Sequence, residues 1–340
     1  MTTMKDVASA AGVSTATVSR VLAGHAAVKP ETARRVHDAA SSLGYVLNPL
    51  ARSLRQQRSP VWALVIADIG NPFLTQVARG VEDVARTAGY SVLLCNTDED
   101  PEKEDGYIAI ADQYRVAGLL ITPTSTRAAV DGLLARGVPV VAMDRPLGSS
   151  ASDTVLIDSR RAAREAVTGL VDAGRRRVAC ITGPRRVFTA EERVLGYREA
   201  LQDSGVEVDE DLVHYAGFNE AGGRAAAQAL LDAGPVDGVL VANSLMAVGV
   251  LGVVRERGLR APEDVEIVAF DDAPWTSLLA PSVRVIHQPA YALGRSAAEL
   301  LLDRLEQPGR EARTVMLTAT LDPTPTPAST PASSKDPTTT

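Results

Sequence analysis

Several polar residues stand just after short apolar runs, where side chains of different segments can converge. Asp68 and Asn71 follow "VWALVIAD", Asp144 ends "VPVVAMD", Asn243 follows "DGVLVAN", and the pair Asp271–Asp272 ends "VEIVAFDD". Asp158 has a similar place, and Arg193 sits in "EERVLGY" near a helix start. Carboxylates, an amide and a guanidinium gathered in one cleft suit the hydroxyls of a sugar, and Phe73 and Phe218 can cover its apolar face. Taken singly, each of these residues reads more readily as a helix or turn cap. Catalytic chemistry has no comparable set. There is no Gly-Lys-Ser/Thr phosphate loop, HExxH or Gly-x-Ser-x-Gly, and no GxGxxG after the first body strand. The histidines at 25, 37, 214 and 287 share no metal-ligand spacing. Cys95 and Cys180, far apart in apolar runs, read as small buried hydrophobes. No catalytic residue, metal or cofactor is expected.

The elements that must position these residues begin at residue 61. Eight apolar runs ("VWALVIAD", "YSVLLCNT", "AGLLITP", "VPVVAMD", "RRVACITG", "DGVLVANS", "VEIVAFDD", "VRVIHQP") alternate with helical stretches near 74–88, 102–115, 160–173, 191–203, 220–232 and 245–257. Strands alternating with helices predict an α/β class with parallel sheets, here in two similar lobes. In such sheets ligands bind at the carboxyl ends of the strands.

Residues 1–60 differ in charge. They hold eight basic and three acidic residues, a balance of +5, within a chain of net −7. A basic head on an acidic body implies that only the head meets a polyanion. "MKDVASAAG" places Val7, Ala8 and Ala11 on one helix face, and Gly12 ends it. Ser14 can cap a second helix, Thr15–Leu22, with Val18 and Leu22 facing its neighbours. A third runs Pro30–Leu43, with an apolar stripe of Ala33, Val36, Ala40 and Leu43 and a stop at Gly44. Two short helices joined at a glycine fit a helix-turn-helix, which presents Thr15, Ala16, Thr17 and Arg20 to base edges. A plain three-helix bundle is the alternative, and the local charge argues against it.

"NPLARSLRQQR" offers about two turns of helix, marginal alone. Leu50 and Leu54 beside Arg52 and Arg55 suit either a minor-groove wedge or a linker docked on the body. The Pro/Thr/Ser-rich end, 323–340, reads as a disordered tail. No apolar run approaches the roughly 20 residues of a membrane span. The N-terminus lacks a signal-peptide core, so a cytoplasmic location is expected.

Over about residues 3–322 the chain resembles the LacI/GalR family of bacterial transcription regulators. The resemblance rests on "MKDVASAAGVSTATVSRVLAG" followed by "VKPETARRVHDAASSLGYVLNPLARSLR", then "IADIGNPF", "VVAMDRP", "ERVLGYREAL", "VANSLMAVGVL" and "HQPAYALGRSAAELLL" in order. It implies a three-helix head (1–47), a hinge helix and linker (48–60) and a two-lobed body like periplasmic sugar-binding proteins (61–322). The effector would lie between the lobes, and dimerisation would run through the body. Thr15, Ala16 and Arg20 fall at base-reading positions. Leu54 falls at the hinge residue that wedges into the minor groove, with Ala51 and Arg55 beside it. The matching cleft positions are Phe73, Asp144, Arg193, Phe218, Asn243, Asp271 and Gln288.

Four features depart from the pattern. Ser244 replaces an acid, so the cleft is expected to hydrogen-bond differently there. Lys29 replaces the usual cap of the third helix, a loss of about 1 kcal/mol. Ala23-Gly24-His25 replaces an Asn-rich loop, and Ala16 leaves only apolar contact with a base. The expected function is a repressor, a homodimer on a pseudo-palindromic double-stranded DNA operator, controlled by a small molecule. A sugar is favoured over a purine or nucleoside, and no membrane partner is expected. A solute-binding protein and an α/β enzyme are the rivals. Dimer is favoured over tetramer, because the tail lacks heptad leucines.

Overall fold

The structure is a computed structural model that describes residues 2–22, 28–45, 59–124, 128–148, 152–278 and 283–323. The hinge positions Ala51, Leu54 and Arg55, and the tail beyond Pro323, lie outside the described residues. Contacts divide the chain into two units, 1–60 and 61–340.

The first unit holds α1 (Met4–Ala11), α2 (Thr15–Leu22) and α3 (Pro30–Ser42). Thr3 and Asp6 form a reciprocal capping box at α1, and Gly12 closes it in the left-handed region at φ 62°. Ser14 Oγ accepts the Thr17 amide at 3.1 Å and caps α2. Val7, Val18 and Val36 are fully buried at the centre of the three helices. Two details differ from expectation. Val21 is buried and Leu22 sits at the rim, because α2 meets its neighbours through residues three apart. In α3 the buried set is Val36, Ala39 and Ala40, Ala33 is half-buried, and Leu43 is exposed. Leu43 is the C-cap, with ψ near 0°, so its side chain leaves the helical stripe. Lys29 makes no capping hydrogen bond.

The turn between α1 and α2 is held from α3. The Arg35 guanidinium donates to the Ala11 carbonyl and, at 3.4 Å, to that of Gly12. Arg35→Ala should lower local stability by about 1 kcal/mol. Amide exchange of α1 and α2 in the full chain should then speed up roughly five-fold. Unchanged exchange would mean that the turn's backbone bonds, such as Val13 N to Ala8 O at 3.0 Å, suffice.

The second unit has two six-stranded sheets. One holds β1 (Val61–Ile66), β2 (Ser91–Asn96), β3 (Gly118–Ile121), β4 (Val140–Met143), β5 (Asp153–Ile157) and β11 (Thr314–Leu317), in the order β11-β5-β4-β3-β1-β2. The other holds β6 (Val178–Thr182), β7 (Val213–Tyr215), β8 (Gly238–Val241), β9 (Glu266–Phe270), β10 (Val283–His287) and β12 (Thr320–Leu321), in the order β12-β10-β9-β8-β6-β7. Every pairing is parallel except β10 with β12. The same strand order therefore occurs twice. The inner strands are buried on both faces, which accounts for their unbroken apolar runs. Sequence patterning did not mark β5, β7, β11 or β12. β7 and β12 are very short, and β11 is partly exposed.

Helices α4 (Pro72–Thr87), α5 (Pro101–Gln113), α6 (Ala128–Ala135) and α11 (Ala290–Glu306) pack on the first sheet or on one another. α7 (Ser159–Asp172), α8 (Phe188–Asp203), α9 (Glu220–Ala233) and α10 (Ser244–Glu256) do so in the second lobe. The chain thus crosses between lobes three times: after β5, after β10 and between β11 and β12. The late segments are tied down by Asp153, which is fully buried at the start of β5. It accepts from Arg304 Nε at 2.8 Å and from the Arg313 amide at 2.7 Å. α4 and α11 touch backbone to backbone. A Cβ on Gly80 would overlap the Tyr291 carbonyl oxygen, and one on Gly294 that of Val77. Among the described residues no helix is long and apolar enough to cross a membrane.

Candidate functional site

A cavity of about 320 Å³ opens at the carboxyl ends of both sheets. Asp68, Asn71 and Phe73 reach it from the end of β1, Asp98 and Glu99 from β2, and Asp144 and Arg145 from β4. Across it stand Arg193 of α8, Phe218 after β7, Asn243 after β8, Asp271 after β9 and Gln288 after β10. Both sheets reverse strand order at their first strand, β1 or β6, so the cavity lies where open α/β sheets bind ligands. Among the described residues, four of the six non-glycine residues at positive φ line it: Asp98, Glu99, Asp144 and Asp271. Left-handed backbone costs a non-glycine residue about 1–2 kcal/mol. Such strain gathers at functional sites.

Three buried charges set the electrostatics. Burial lifts the Asp271 carboxyl to about 6. The Arg193 guanidinium and the Gln288 amide, which donates to Asp271 Oδ1, oppose that rise, and Asp144 adds to it. Burial also raises Asp144 against the pull of Arg145 and Arg193. Arg193 is lowered by burial, against Asp271 and Asp144. It donates to the Ala242 carbonyl at 2.7 Å and lies over the Phe270 ring at 4.2 Å. Arg193 Nε, Gln288 Oε1 and Arg145 Nε are buried without a hydrogen-bond partner. Each such group costs roughly 1–3 kcal/mol. A ligand carrying both donors and acceptors would relieve them.

The seven matched positions all line this one cavity, though not in the same way. Phe218 lies against the backbone of Gly183, where any side chain would overlap its ring. Asn243 has both ends of its amide engaged: it accepts the Met246 amide at 2.7 Å, capping α10, and donates to the Phe218 carbonyl at 3.2 Å. Asn71 likewise caps α4 through the Phe73 amide at 3.0 Å. Two strand-end acids fall outside the lining. Asp158 caps α7 through the Arg161 amide at 3.1 Å. Asp272 is exposed and meets Thr276 at 3.0 Å and His287 at 3.4 Å. Ser244, fully buried as the first residue of α10, is not among the lining residues, and its hydroxyl has no hydrogen-bond partner. Asp98, Glu99 and Arg145 were not singled out from sequence. Arg145 directly follows Asp144, but Glu99 has no local mark.

On the head, Thr15, Ala16 and Arg20 are exposed on α2. Thr17 is half-buried, and its hydroxyl lies 2.9 Å from that of Ser14, so it shares in the cap.

Residues 3–48 match the family model "Bacterial regulatory proteins, lacI family", and residues 167–323 match "Periplasmic binding protein-like domain". The chain is 37% identical to the ribose operon repressor of Halalkalibacterium halodurans, over 90% of this chain and 91% of that protein. It is 34% identical to the transcriptional repressor CytR of Escherichia coli, over 89% and 90%. A solved complex of the transcriptional regulator CelR with cellobiose aligns over 95% of this chain and 98% of that one, with 34% identity and a TM-score of 0.70. An N-terminal helix-turn-helix joined to a twice-repeated parallel-sheet body, with relatives this similar along nearly its whole length, is a DNA-binding transcriptional regulator and not an enzyme: the chain belongs to the lacI family of bacterial regulatory proteins.

Proposed function

We infer that this regulator is a cytoplasmic repressor whose operator affinity is set by a sugar held in the body cavity. The carrying observation is the cavity itself. It has two aromatic rings, Phe73 and Phe218, and a ring of buried, partly unpartnered polar groups centred on Asp144, Arg193, Asp271 and Gln288. Carboxylates accept sugar hydroxyls, guanidinium and amide groups donate to them, and the rings cover apolar sugar faces. Asn243 shapes the wall rather than offering a free amide. The named relatives support this: two are a ribose operon repressor and a cellobiose complex, and another solved regulator carries ribose.

On DNA, Thr15, Ala16, Thr17 and Arg20 of a head spanning 1–47 read base edges, two heads per pseudo-palindromic operator. Ala51, Leu54 and Arg55 of the hinge, 48–60, enter the minor groove, where Leu54 opens a flexible step. The body, 61–322, forms the homodimer and couples effector to operator. A coupling of about 1–3 kcal/mol is typical.

Gel shifts with genomic fragments, alone and with D-ribose, cellobiose or adenosine, test the reading. A retarded fragment whose retardation changes with a sugar is expected. A response to adenosine alone would replace the sugar by a nucleoside, and no retarded fragment under any condition would sink the operator model. Leu54→Ala should weaken operator binding at least ten-fold while leaving sugar-induced thermal stabilisation of the protein unchanged. Wild-type operator affinity in that variant would remove the wedge.

A further inference from the structure

The charges lining the cavity are unequal. Five carboxylates (Asp68, Asp98, Glu99, Asp144 and Asp271) face two guanidiniums, those of Arg145 and Arg193. The two guanidiniums are compensated unequally: Arg145 is paired directly, whereas Arg193 makes no ion pair within 4 Å among the described residues. Arg193 feels the charges of Asp271 and Asp144 and donates to the Ala242 carbonyl. Arg145 is clamped by Glu99. Its Nη1 donates to Oε2 at 2.7 Å and its Nη2 to Oε1 at 2.6 Å, and Nη1 also reaches the Pro123 carbonyl at 3.3 Å. A parallel two-point pair of this kind is the strong form of the contact. The Arg145 side chain is only 8% exposed, while that of Glu99 is half-buried at 29%, so the guanidinium is the sheltered partner of the pair. What remains is one N–H of Nη2 and Nε, the latter buried without a hydrogen-bond partner and 3.8 Å from Asp144 Oδ2.

The position of Glu99 is itself built. The Thr97 amide donates to the Ile66 carbonyl at 2.9 Å and the Glu99 amide to that of Ala67 at 3.1 Å, which ties the turn to the end of β1. Asp98 and Glu99 both adopt positive φ, 53° and 58°, to make that turn. The neighbouring Asp98 is engaged elsewhere, by Lys103 at 2.5 Å and Asn96 at 2.6 Å. Glu99 is therefore the carboxylate presented to Arg145.

We propose that Glu99 is a specificity-determining residue: by clamping Arg145 it withholds one of the cavity's two cations from an anionic ligand, and makes the cavity selective for uncharged polyhydroxyl compounds over their phosphate esters and acids. This rests on the sugar reading above. A hydroxyl asks of Arg145 a single N–H and no net charge. A phosphate asks for an unneutralised cation, whereas Glu99 already neutralises Arg145 through its Nη1–Nη2 face, and the phosphate must also approach the cavity's other carboxylates.

Calorimetric titration of the full-length protein tests this. The neutral series is D-ribose, D-glucose and cellobiose; their anionic counterparts are D-ribose 5-phosphate, D-glucose 6-phosphate and cellobiose 6′-phosphate. In the wild type, each neutral sugar that binds should do so at least thirty-fold more tightly than its anionic counterpart. Glu99→Gln should shrink that ratio at least ten-fold, chiefly by tighter binding of the anion. The double variant Glu99→Gln/Arg145→Gln lacks both the clamp and the freed cation, so it should restore the wild-type ratio. It also serves if the single variant melts early by circular dichroism. Preference for an ester in the wild type would overturn the proposal while leaving the sugar reading intact. So would a ratio unmoved by Glu99→Gln, or a double variant as permissive as the single one. Failure of every compound to bind the wild type would instead remove the sugar reading, and this proposal with it.

Discussion

Gly294→Ala should lower the melting temperature of the body by about 10 °C. The added methyl group meets the Val77 carbonyl oxygen, a backbone atom that no rotamer change can move. Relief requires α4 and α11 to separate, and these two helices cover one face of the first sheet. Overpacking costs of 1–3 kcal/mol are ordinary where side chains can shift. Where backbone blocks the shift, about 4 kcal/mol is the expected scale, and each kcal/mol moves the midpoint of a body this size by roughly 2–4 °C. Gly80→Ala should act similarly, since its Cβ would meet the Tyr291 carbonyl. Helix propensity alone works the other way, favouring alanine over glycine by about 1 kcal/mol. Gly106 in α5 provides the control, because a Cβ there meets nothing within 4 Å. Gly106→Ala should leave stability unchanged or raise it slightly. Scanning calorimetry of the three variants decides the matter. A wild-type midpoint for Gly294→Ala would mean that α4 and α11 do not touch in solution.

The second large effect concerns Asp271 and pH. Its carboxyl titrates near 3.8 when free and at about 6 when folded, because burial disfavours the charge. Between these values the folded state keeps a proton that the unfolded state has released. The group's contribution to stability is therefore greatest at low pH and is lost as pH rises through about 4 to 6. By pH 7 the ligand-free body carries a deficit on the order of 3 kcal/mol from this carboxyl. The rise at Asp144 has the same sign. Hydroxyls that donate to Asp271 favour its ionised form and remove part of the deficit. Sugar-induced thermal stabilisation should therefore be larger at pH 7.5 than at pH 5, with affinity falling up to ten-fold between pH 6 and 5. Asp271→Asn should flatten both dependences. A sugar-induced shift independent of pH in the wild type would show that the carboxylate does not receive a hydroxyl.

The strands legible in the sequence are those with unbroken apolar runs: β5 is buried throughout but opens on Asp153 and Thr154 and carried no such mark, whereas the partly exposed β2 did. β3, β4, β6, β8 and β9 are covered on both faces, so they appear as continuous apolar runs. β7 and β12 owe their existence to a neighbouring strand, and neither is long enough to carry a pattern. The site was legible to the extent that strand ends concentrate polar residues. Local sequence does not distinguish Asp158 from Asp271, since both follow a buried strand. One caps a helix in the wall of a lobe and the other faces the cavity. The Glu99–Arg145 clamp joins residues 46 apart, and the paired turn that presents Glu99 depends on unusual backbone angles at two non-glycine residues. Neither feature has a compositional signature. In the head, Val21 rather than Leu22 is buried because the interface follows a three-residue step, a matter of helix phase that a four-residue reading misplaced.

The three crossings between lobes also order events in time. The first lobe begins at residue 61 yet needs α11 and β11, the latter ending at Leu317, to cover its helices and extend its sheet. The three-helix head is complete by residue 45 and has its own core. At roughly 5–20 residues per second of synthesis, a nascent chain would carry a finished head for tens of seconds before either lobe could close. A frameshift ahead of β11 would accordingly damage the first lobe, not merely trim the second. Its product would keep a folded reading head without the body that governs it.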